Sequence, residues 1–198
     1  MIVISDTTPI ITLMKIGQLN ILQQMFDTVI IPQAVYKELT SNPLFISETE
    51  IIEQTPYIVV EKVKDRDFLL NFRESTGLDE GESESISLYF EKHASLLLID
   101  EHKGRSYALA NGCLIMGTIG LLIDAMERNI ITTEECKHCK TLLQNGSIRL
   151  SKFLLSKLDE KINEKITILQ ASKTMNVEPK RDSAPQTKVR VRSLYNND

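Results

Sequence analysis

Short runs of aliphatic residues alternate along the chain with longer stretches in which apolar residues recur every three or four positions. The runs have the length of strands, and the longer stretches have the period of amphipathic helices. Because the runs are apolar with little alternation, we expect helices to cover both faces of the sheet. Strands are predicted at residues 1–5, 28–32, 57–63, 95–100 and 113–117 (MIVIS, TVIIP, YIVVEKV, SLLLID and CLIMG).

Helices are predicted between and after these strands. The first begins at a Thr7 or Thr8 cap with Pro9 in its first turn, and its apolar pattern continues to Leu22. Strands that alternate with helices in this way predict an α/β fold with a parallel sheet. The other helices are predicted over 32–40, 43–54, 79–93 and 102–112, and near 118–128, 132–144 and 151–165.

The composition indicates one domain in a reducing compartment. A chain of 198 residues with 42% hydrophobic residues can bury a substantial core. The three cysteines are an odd number without the spacing of a disulfide framework, which suits the cytoplasm. No signal peptide is visible, and no apolar stretch approaches the roughly 18 residues that a membrane span needs. We therefore expect a cytoplasmic protein without a membrane segment.

The charge is unevenly distributed. The chain has a net charge of −4, but residues 166–198 carry six Lys and Arg against three acids, a local charge of +3. This segment has few apolar residues, so we predict a basic, flexible tail after a domain of residues 1–165. Such a tail can contact nucleic-acid phosphates or an acidic partner, and both interpretations remain open.

Two carboxylates stand at the ends of predicted strands. Asp6 follows the first strand directly, and Asp100 ends the fourth. Ligands of open α/β sheets bind beyond the carboxyl ends of the strands, so these acids share one crevice if their strands are neighbours. Each also has a simpler interpretation, because an Asp between a strand and a helix is often a helix cap.

Two further acids are placed by helix geometry. Glu38 borders the apolar face of its helix, although it can equally face solvent. Glu82 falls on the inward face of its own helix, whereas Glu80 and Glu84 fall on the opposite side. Glu82 also stands three residues after Asp79, which is the spacing of a capping box.

Four acids at one edge of a sheet repel one another unless a cation lies between them. Mg²⁺ and Mn²⁺ prefer carboxylate oxygens, and they can activate water for the displacement of a phosphoryl group. The residues alone therefore predict a candidate metal site, with purely structural roles for the acids as the alternative. Its ligands are Asp6, Glu38, Glu82 and Asp100.

Four segments resemble the PIN-domain family in their sequence and order. They are VISDTTPIITLMKIGQLNIL, VIIPQAVYKEL, LDEGESESISLYFEKHASLLLIDEHKGRSYALANG and MGTIGLLIDAMERNII, which lie within residues 1–165. The resemblance is to a prokaryotic branch of unassigned function related to VapC-type toxins. It implies a three-layer α/β/α sandwich with a parallel sheet of four or five strands. It also implies an endoribonuclease dependent on Mg²⁺ or Mn²⁺, a homodimer, and a small antitoxin-like protein partner.

The resemblance assigns catalytic and metal-binding roles to the same four acids. Glu82, 18 residues before Asp100, matches the third acid of toxin-like members, in which Asp is commoner. The usual strand-end T-x-D reads Leu98-Ile99-Asp100, so a hydroxyl is missing there. Thr118, after the fifth strand, is a candidate replacement.

Three more residues are weaker candidates for substrate contact. Thr7 adds a hydroxyl next to Asp6, and Lys103 and Arg105 follow Asp100 on the next helix. These cations can bind phosphate, balance the acids or simply face solvent. The expected substrate is single-stranded or loop RNA, with DNA as a further possibility. The alternative function is a non-catalytic PIN-like module that binds RNA or protein.

Overall fold

The five predicted strands form one parallel sheet in the computed structural model of the chain. The structure describes residues 1–41, 46–146 and 150–175. The strand order is β3-β2-β1-β4-β5, so the order reverses between the neighbouring strands β1 and β4. The strands are β1 (Val3–Ser5), β2 (Val29–Pro32), β3 (Ile58–Glu61), β4 (Leu96–Leu98) and β5 (Ile115–Met116).

Strand β1 lies at the centre of the sheet and pairs with β4 in register. Val3 lies opposite Leu96, and Ser5 lies opposite Leu98. The N–H of Asp6 donates to the carbonyl oxygen of Leu98 at 2.9 Å, which continues the pairing one residue beyond the strand. The strands before Asp6 and Asp100 are therefore neighbours, which is the condition under which the two acids share one crevice.

Helices cover both faces of the sheet. In the described residues they are α1 (Thr7–Lys15), α2 (Ile21–Phe26), α3 (Gln33–Thr40), α4 (Ile46–Glu53), α5 (Arg66–Thr76), α6 (Glu80–Glu91), α7 (His102–Ala110), α8 (Thr118–Glu127), α9 (Thr133–Asn145) and α10 (Lys152–Met175).

Successive side chains of the strands enter two different apolar cores. Val3 and Leu98 pack on one face with helices that include α1, α2, α8 and α9. Ile4 and Leu97 pack on the other face with α5, α6 and α7. Because strand side chains alternate between faces, each strand needs apolar residues at consecutive positions to fill both cores. The predicted three-layer α/β/α architecture is confirmed.

The start of the first helix differs from the prediction. Helix α1 begins at Thr7 with Asp6 as its N-cap residue, so neither Thr7 nor Thr8 is the cap. The helix ends before Gly17, which has a φ of +67°, and the apolar residues beyond it belong to the separate helix α2. A continuous apolar pattern therefore concealed a break that the glycine conformation permits.

Two other helices differ from the predictions. The sequence patterns did not predict α5, whose N-cap Asp65 accepts a hydrogen bond from the N–H of Phe68 at 2.9 Å. Helix α10 continues to Met175, past the predicted end at residue 165. The rest of the predicted basic tail, 176–198, lies outside the described residues, as do residues 42–45 at the start of the helix predicted over 43–54. No helix within the described ranges is long and apolar enough to cross a membrane.

Candidate active site

Asp6 lies at the carboxyl end of the central strand and is almost completely buried, with 4% of its surface exposed. Its backbone occupies the N-cap position of α1, but its side chain makes no capping hydrogen bond to the first turn. An N-cap Asp normally uses its carboxylate to bond the N–H groups of that turn. The simple interpretation of Asp6 as a helix cap therefore does not account for its buried carboxylate.

The electrostatic environment of Asp6 opposes its ionisation. Burial raises the pKa of Asp6 to about 8, although the backbone N–H of Thr7 acts in the opposite direction. The nearby charges of Asp79, Glu38 and Glu82 raise the pKa further. Burial and like charge both disfavour the ionised carboxylate, whereas a cation in this place would favour it and lower the pKa of Asp6 again.

Glu38 reaches the same place from α3. Its neighbours Val35 and Leu39 are buried, and Glu38 itself is exposed. The hydroxyl of Thr7 donates to Glu38 Oε2 at 2.5 Å, which holds the carboxylate at the start of α1. Partial desolvation raises the pKa of Glu38, and the charges of Asp79 and Glu80 add to that effect. Glu38 therefore faces solvent, as the simpler interpretation has it, while Thr7 holds its carboxylate near Asp6.

Gly81, in the first turn of α6, provides the space in which Asp6 and Glu38 meet. A Cβ atom built on Gly81 would lie 3.0 Å from Glu38 Oε1 and 3.4 Å from Asp6 Oδ1. The absence of a side chain at this position leaves two carboxylates facing one small space. The arrangement is a cradle that a single methyl group would fill.

Glu82 is buried beside this cradle and also forms the predicted capping box with Asp79. Asp79 Oδ1 accepts from the N–H of Glu82 at 2.7 Å, and Glu82 Oε2 accepts from the N–H of Asp79 at 3.2 Å. Burial raises the pKa of Glu82, and the charge of Asp79 contributes to the rise. The capping interpretation of Glu82 is therefore confirmed, and its charge still acts on Asp6.

Gly104 allows α7 to approach Glu82 closely. The N–H of Gly104 donates to Glu82 Oε1 at 3.1 Å. A Cβ atom on Gly104 would lie 2.7 Å from the same oxygen and 2.6 Å from Ile99 Cδ1, closer than packed atoms can approach. Glu82 consequently connects the start of α6 to α7.

Asp100 lies at the end of β4 and faces the start of α8. The N–H of Thr118 donates to Asp100 Oδ1 at 2.9 Å, and the Thr118 hydroxyl donates to Asp100 Oδ2 at 2.5 Å. Thr118 therefore gives Asp100 a hydroxyl partner. This hydroxyl follows β5, whereas in the T-x-D pattern it would come from the same strand as the acid. A carboxylate with two such donors is held in one orientation.

The comparisons with known proteins agree with this architecture. A family model described as a PIN domain matches residues 2–164, which is most of the chain. The chain is a PIN-domain protein. No curated protein and no solved structure gives a significant match to it.

PIN domains are generally nucleases and generally use divalent metals, so the chain has a nuclease-type fold. No group of three acid, imidazole or thiol side chains is preassembled as a metal site in the parts that the structure describes. The residues of this PIN domain nevertheless fit a hard divalent cation. Their donors are carboxylate oxygens, the pKa values of Asp6, Glu38 and Glu82 are raised, and Gly81 leaves a cradle between two of them.

Asp6, Glu38, Asp79 and Glu82 form what we call the acidic cluster, although the sequence assigned Asp79 only a capping role. Its charge raises the pKa of Asp6, Glu38 and Glu82. The signal available in the sequence was its position immediately before the helix of Glu82, which brings it to the same edge as the other acids. Because Asp79 stands at the start of the helix that carries Glu82, it caps that helix and also adds negative charge near Asp6, Glu38 and Glu82.

The two cations predicted near the site have different contacts. The ammonium group of Lys103 donates to the carbonyl oxygen of Gly77, in the segment that leads to Asp79. Arg105 Nη1 donates to the carbonyl oxygen of Ile99 at 2.7 Å, directly beside Asp100. Lys103 therefore anchors the segment just before Asp79. Arg105 lies on the Asp100 side of the PIN-domain site.

The predicted orientation of Glu84 is wrong. Glu84 is 2% exposed and accepts a hydrogen bond from the N–H of Ala34, in the first turn of α3, at 2.9 Å. Its other oxygen forms an ion pair with Arg66 Nη1 at 3.2 Å. Helical periodicity places Glu84 away from Glu82, but that side of α6 is covered by α3 and by Arg66 from α5. Glu84 thus joins α6 to the helix that carries Glu38.

Proposed function

We propose that this PIN-domain protein is an endoribonuclease that depends on Mg²⁺ or Mn²⁺. The single observation that carries the proposal is the environment of Asp6. The Asp6 carboxylate is buried, does not cap its helix and lies near three other acids, and the opposing N–H of Thr7 does not offset the rise of its pKa. Among the described residues no cationic side chain forms an ion pair with it. A divalent cation supplies the positive partner.

The ligands of the proposed ion are Asp6, Glu38, Glu82 and Asp100, with Asp79 as an added neighbour. A bound divalent ion supplies positive charge that activates water and stabilises the in-line displacement at a phosphodiester. The hydroxyl of Thr7 orients Glu38, and the hydroxyl of Thr118 orients Asp100. These two bonds fix the carboxylates that approach from α3 and from β4.

RNA as the substrate, and a toxin role, are proposed on the family resemblance. An unpaired strand or loop suits an edge of a sheet because its phosphates are accessible, whereas those of a stacked duplex are held in a regular helix. A homodimer and a small antitoxin-like protein belong to the same proposal. The basic residues after residue 165 would contact the RNA backbone.

A non-catalytic module that binds RNA or protein is the second candidate function. The observation that favours it is the number of structural bonds already made by two of the four acids. Glu82 accepts from the N–H groups of Asp79 and Gly104, and Asp100 accepts twice from Thr118. In such a module the acids would serve to join α6, α7 and α8.

The decisive experiment is cleavage of a mixed tRNA and rRNA pool with Mg²⁺, Mn²⁺ or EDTA. The wild type is compared with Asp6→Asn and Glu82→Gln. The matched control is Glu134→Gln, which removes a carboxylate that is 77% exposed on α9. Each substitution keeps the shape of the side chain, so the loss of a charge is the main change.

The nuclease proposal expects defined RNA fragments that require metal, persist in Glu134→Gln and disappear in both site variants. Loss of cleavage in Asp6→Asn alone would retain the nuclease and assign Glu82 to the capping role. The absence of cleavage by folded, partner-free protein with either metal would instead favour the binding module. Paired RNA and DNA oligonucleotides of one sequence identify the preferred nucleic acid.

A further inference from the structure

An open cavity of about 290 Å³ lies beside Asp100 and is lined by residues of β5, α7, α8 and α10. This volume is at the lower end of the range for small-molecule sites, so there is room for one group of nucleotide size. The cavity opens at the same edge of the sheet as the acidic cluster. Residues that line it include Asp100, Arg105, Met116, Ile119, Leu154 and Lys157.

The two cations of this cavity lack carboxylate partners among the described residues. The ion pairs near α10 use other lysines: Lys140 pairs with Asp159, and Lys161 pairs with Glu164. Arg105 bonds a carbonyl oxygen, and Lys157 lies over an aromatic ring. The one acid of the lining, Asp100, accepts two hydrogen bonds from Thr118. The cavity is therefore suited to an anionic group.

An exposed aromatic side chain, Phe153, is next in sequence to the lining residue Leu154 and close to the lining residue Lys157. Phe153 is 70% exposed on α10, and the ammonium group of Lys157 lies 5.9 Å from the centre of its ring. Leu154, the next residue, lines the cavity with Met116. An exposed ring beside an unpaired cation is the combination with which proteins bind single-stranded nucleic acid, because bases stack on the ring and phosphates meet the cation.

We propose that this cavity and Phe153 form a subsite for one unpaired nucleotide of a nucleic-acid strand. The base lies against Phe153, Leu154 and Met116, and its phosphate lies between Arg105 and Lys157. Asp100 joins the subsite to the acidic cluster, so the bound nucleotide is a neighbour of the phosphate to be cleaved. The identity of the strand as RNA rests on the proposed function.

The test measures binding without cleavage. A fluorescent, unstructured RNA octamer is titrated with the full chain carrying Asp6→Asn, in EDTA, and anisotropy gives the Kd. Phe153→Ala, Lys157→Gln and Lys157→Arg are added to this background. The matched controls are Phe68→Ala, an aromatic residue that is 47% exposed on α5, and Lys137→Gln, an exposed lysine on α9.

Phe153→Ala is expected to weaken binding by about fivefold or more, since stacking on an aromatic residue contributes that much per base. Lys157→Gln is expected to weaken it by about threefold and to reduce the salt slope of log Kd by about one. Lys157→Arg keeps the charge and retains the affinity. Both controls remain within twofold of their background, and an octamer with abasic sites loses its sensitivity to Phe153→Ala.

The outcomes separate this inference from the nuclease proposal. Unchanged affinity in Phe153→Ala and Lys157→Gln overturns the subsite, even if the wild type cleaves RNA. Affinity that depends on both residues supports the subsite, even if no cleavage is found. An equal loss of affinity in the subsite variants and in the controls also overturns the subsite, because the loss would then not be specific to this cavity.

Discussion

The carboxyl edge of the sheet has two halves that balance charge differently. The acidic half lies around β1 and contains Asp6, Glu38, Asp79 and Glu82. Burial raises the pKa of Asp6, Glu38 and Glu82, and the charge of Asp79 adds to each rise. In the half around β4 and β5, the mixed half, Asp100 receives two bonds from Thr118 beside Arg105 and Lys157.

The difference suggests what each half can bind. Repelling acids in a desolvated place favour a cation, whereas unpaired cations beside apolar side chains favour an anion with an apolar part. A metal-dependent nuclease needs both kinds of site, because it must bind its metal ion next to the nucleic-acid strand. The neighbouring strands β1 and β4 bring the two halves side by side.

The pH dependence of unfolding in EDTA is the strongest test of the acidic half. Because the folded-state pKa of Asp6, about 8, lies above the ordinary value of 3.8, the folded chain holds this proton more tightly than the unfolded chain. The resulting stability is complete below pH 4 and is lost as the pH rises to about 8. The loss amounts to as much as about 5 kcal/mol at pH 8. Urea unfolding at intervals between pH 4 and 8.5 measures it.

Asp6→Asn provides the control for this measurement. The amide has the same shape but does not ionise, so most of the pH dependence in this window should disappear, and the variant should be more stable than the wild type at pH 8. A variant with the same steep pH profile as the wild type would assign the dependence to other groups.

The second test compares the stability of the protein with and without Mg²⁺, which we expect the acidic half to bind. At pH 8, Mg²⁺ at about one hundred times its Kd should stabilise the wild type by about 3 kcal/mol. Gly81→Ala places a methyl group between Asp6 and Glu38 and should abolish most of this gain. In EDTA, the helix preference of alanine and its close contact with Glu38 Oε1 act in opposite directions, so the gain with Mg²⁺ is compared with the variant's own stability in EDTA. Thermal melts with and without Mg²⁺ measure both quantities, and an undiminished gain in Gly81→Ala would move the ion out of the cradle.

Glu84 tests what a paired acid on the same helix contributes. Glu84→Ala removes the acceptor of the Ala34 N–H and the partner of Arg66, and should lower the free energy of unfolding by about 2 kcal/mol. Glu84→Gln keeps an oxygen for the N–H and should lose about half as much. Chemical denaturation compares the two, and equal losses would show that the ion pair accounts for the whole contribution.

The smallest expected effects belong to two threonines. Thr7→Val frees Glu38 in the acidic half, and Thr118→Val frees Asp100 in the mixed half. Residues that orient metal ligands typically affect affinity or activity by about tenfold or more. We expect Thr7→Val to raise the metal concentration needed for half-maximal cleavage, and Thr118→Val mainly to lower the maximal rate. Metal titrations of RNA cleavage compare them; the opposite assignment would reverse the roles of the halves.

Much of the acidic half could be predicted from local sequence. Asp6 is apparent because it follows an apolar run directly, and the period of α6 directs Glu82 inward. Both signals depend only on residues nearby in the chain. The strand order was not predicted from the sequence, because the pairing of β1 with β4 joins segments more than ninety residues apart in the chain.

The remaining features depend on contacts between distant parts of the chain. Glu84 is buried because Arg66, on the unpredicted helix α5, and the first turn of α3 both reach it. Periodicity treats a glutamate on that face as exposed and contains no information about these partners. Likewise, Lys157 lines the cavity only because α10 packs on α8 and α9.

Gly104 has a consequence for engineering of the protein. Its missing side chain leaves the room in which the α7 backbone bonds Glu82, and the residue that follows it is Arg105. A larger residue at position 104 would displace Glu82 and Ile99, whose carbonyl oxygen accepts from Arg105, so one codon would disturb both a proposed metal ligand and a proposed strand contact. Designers who want to tune metal and strand affinity independently should leave position 104 fixed and vary its neighbours.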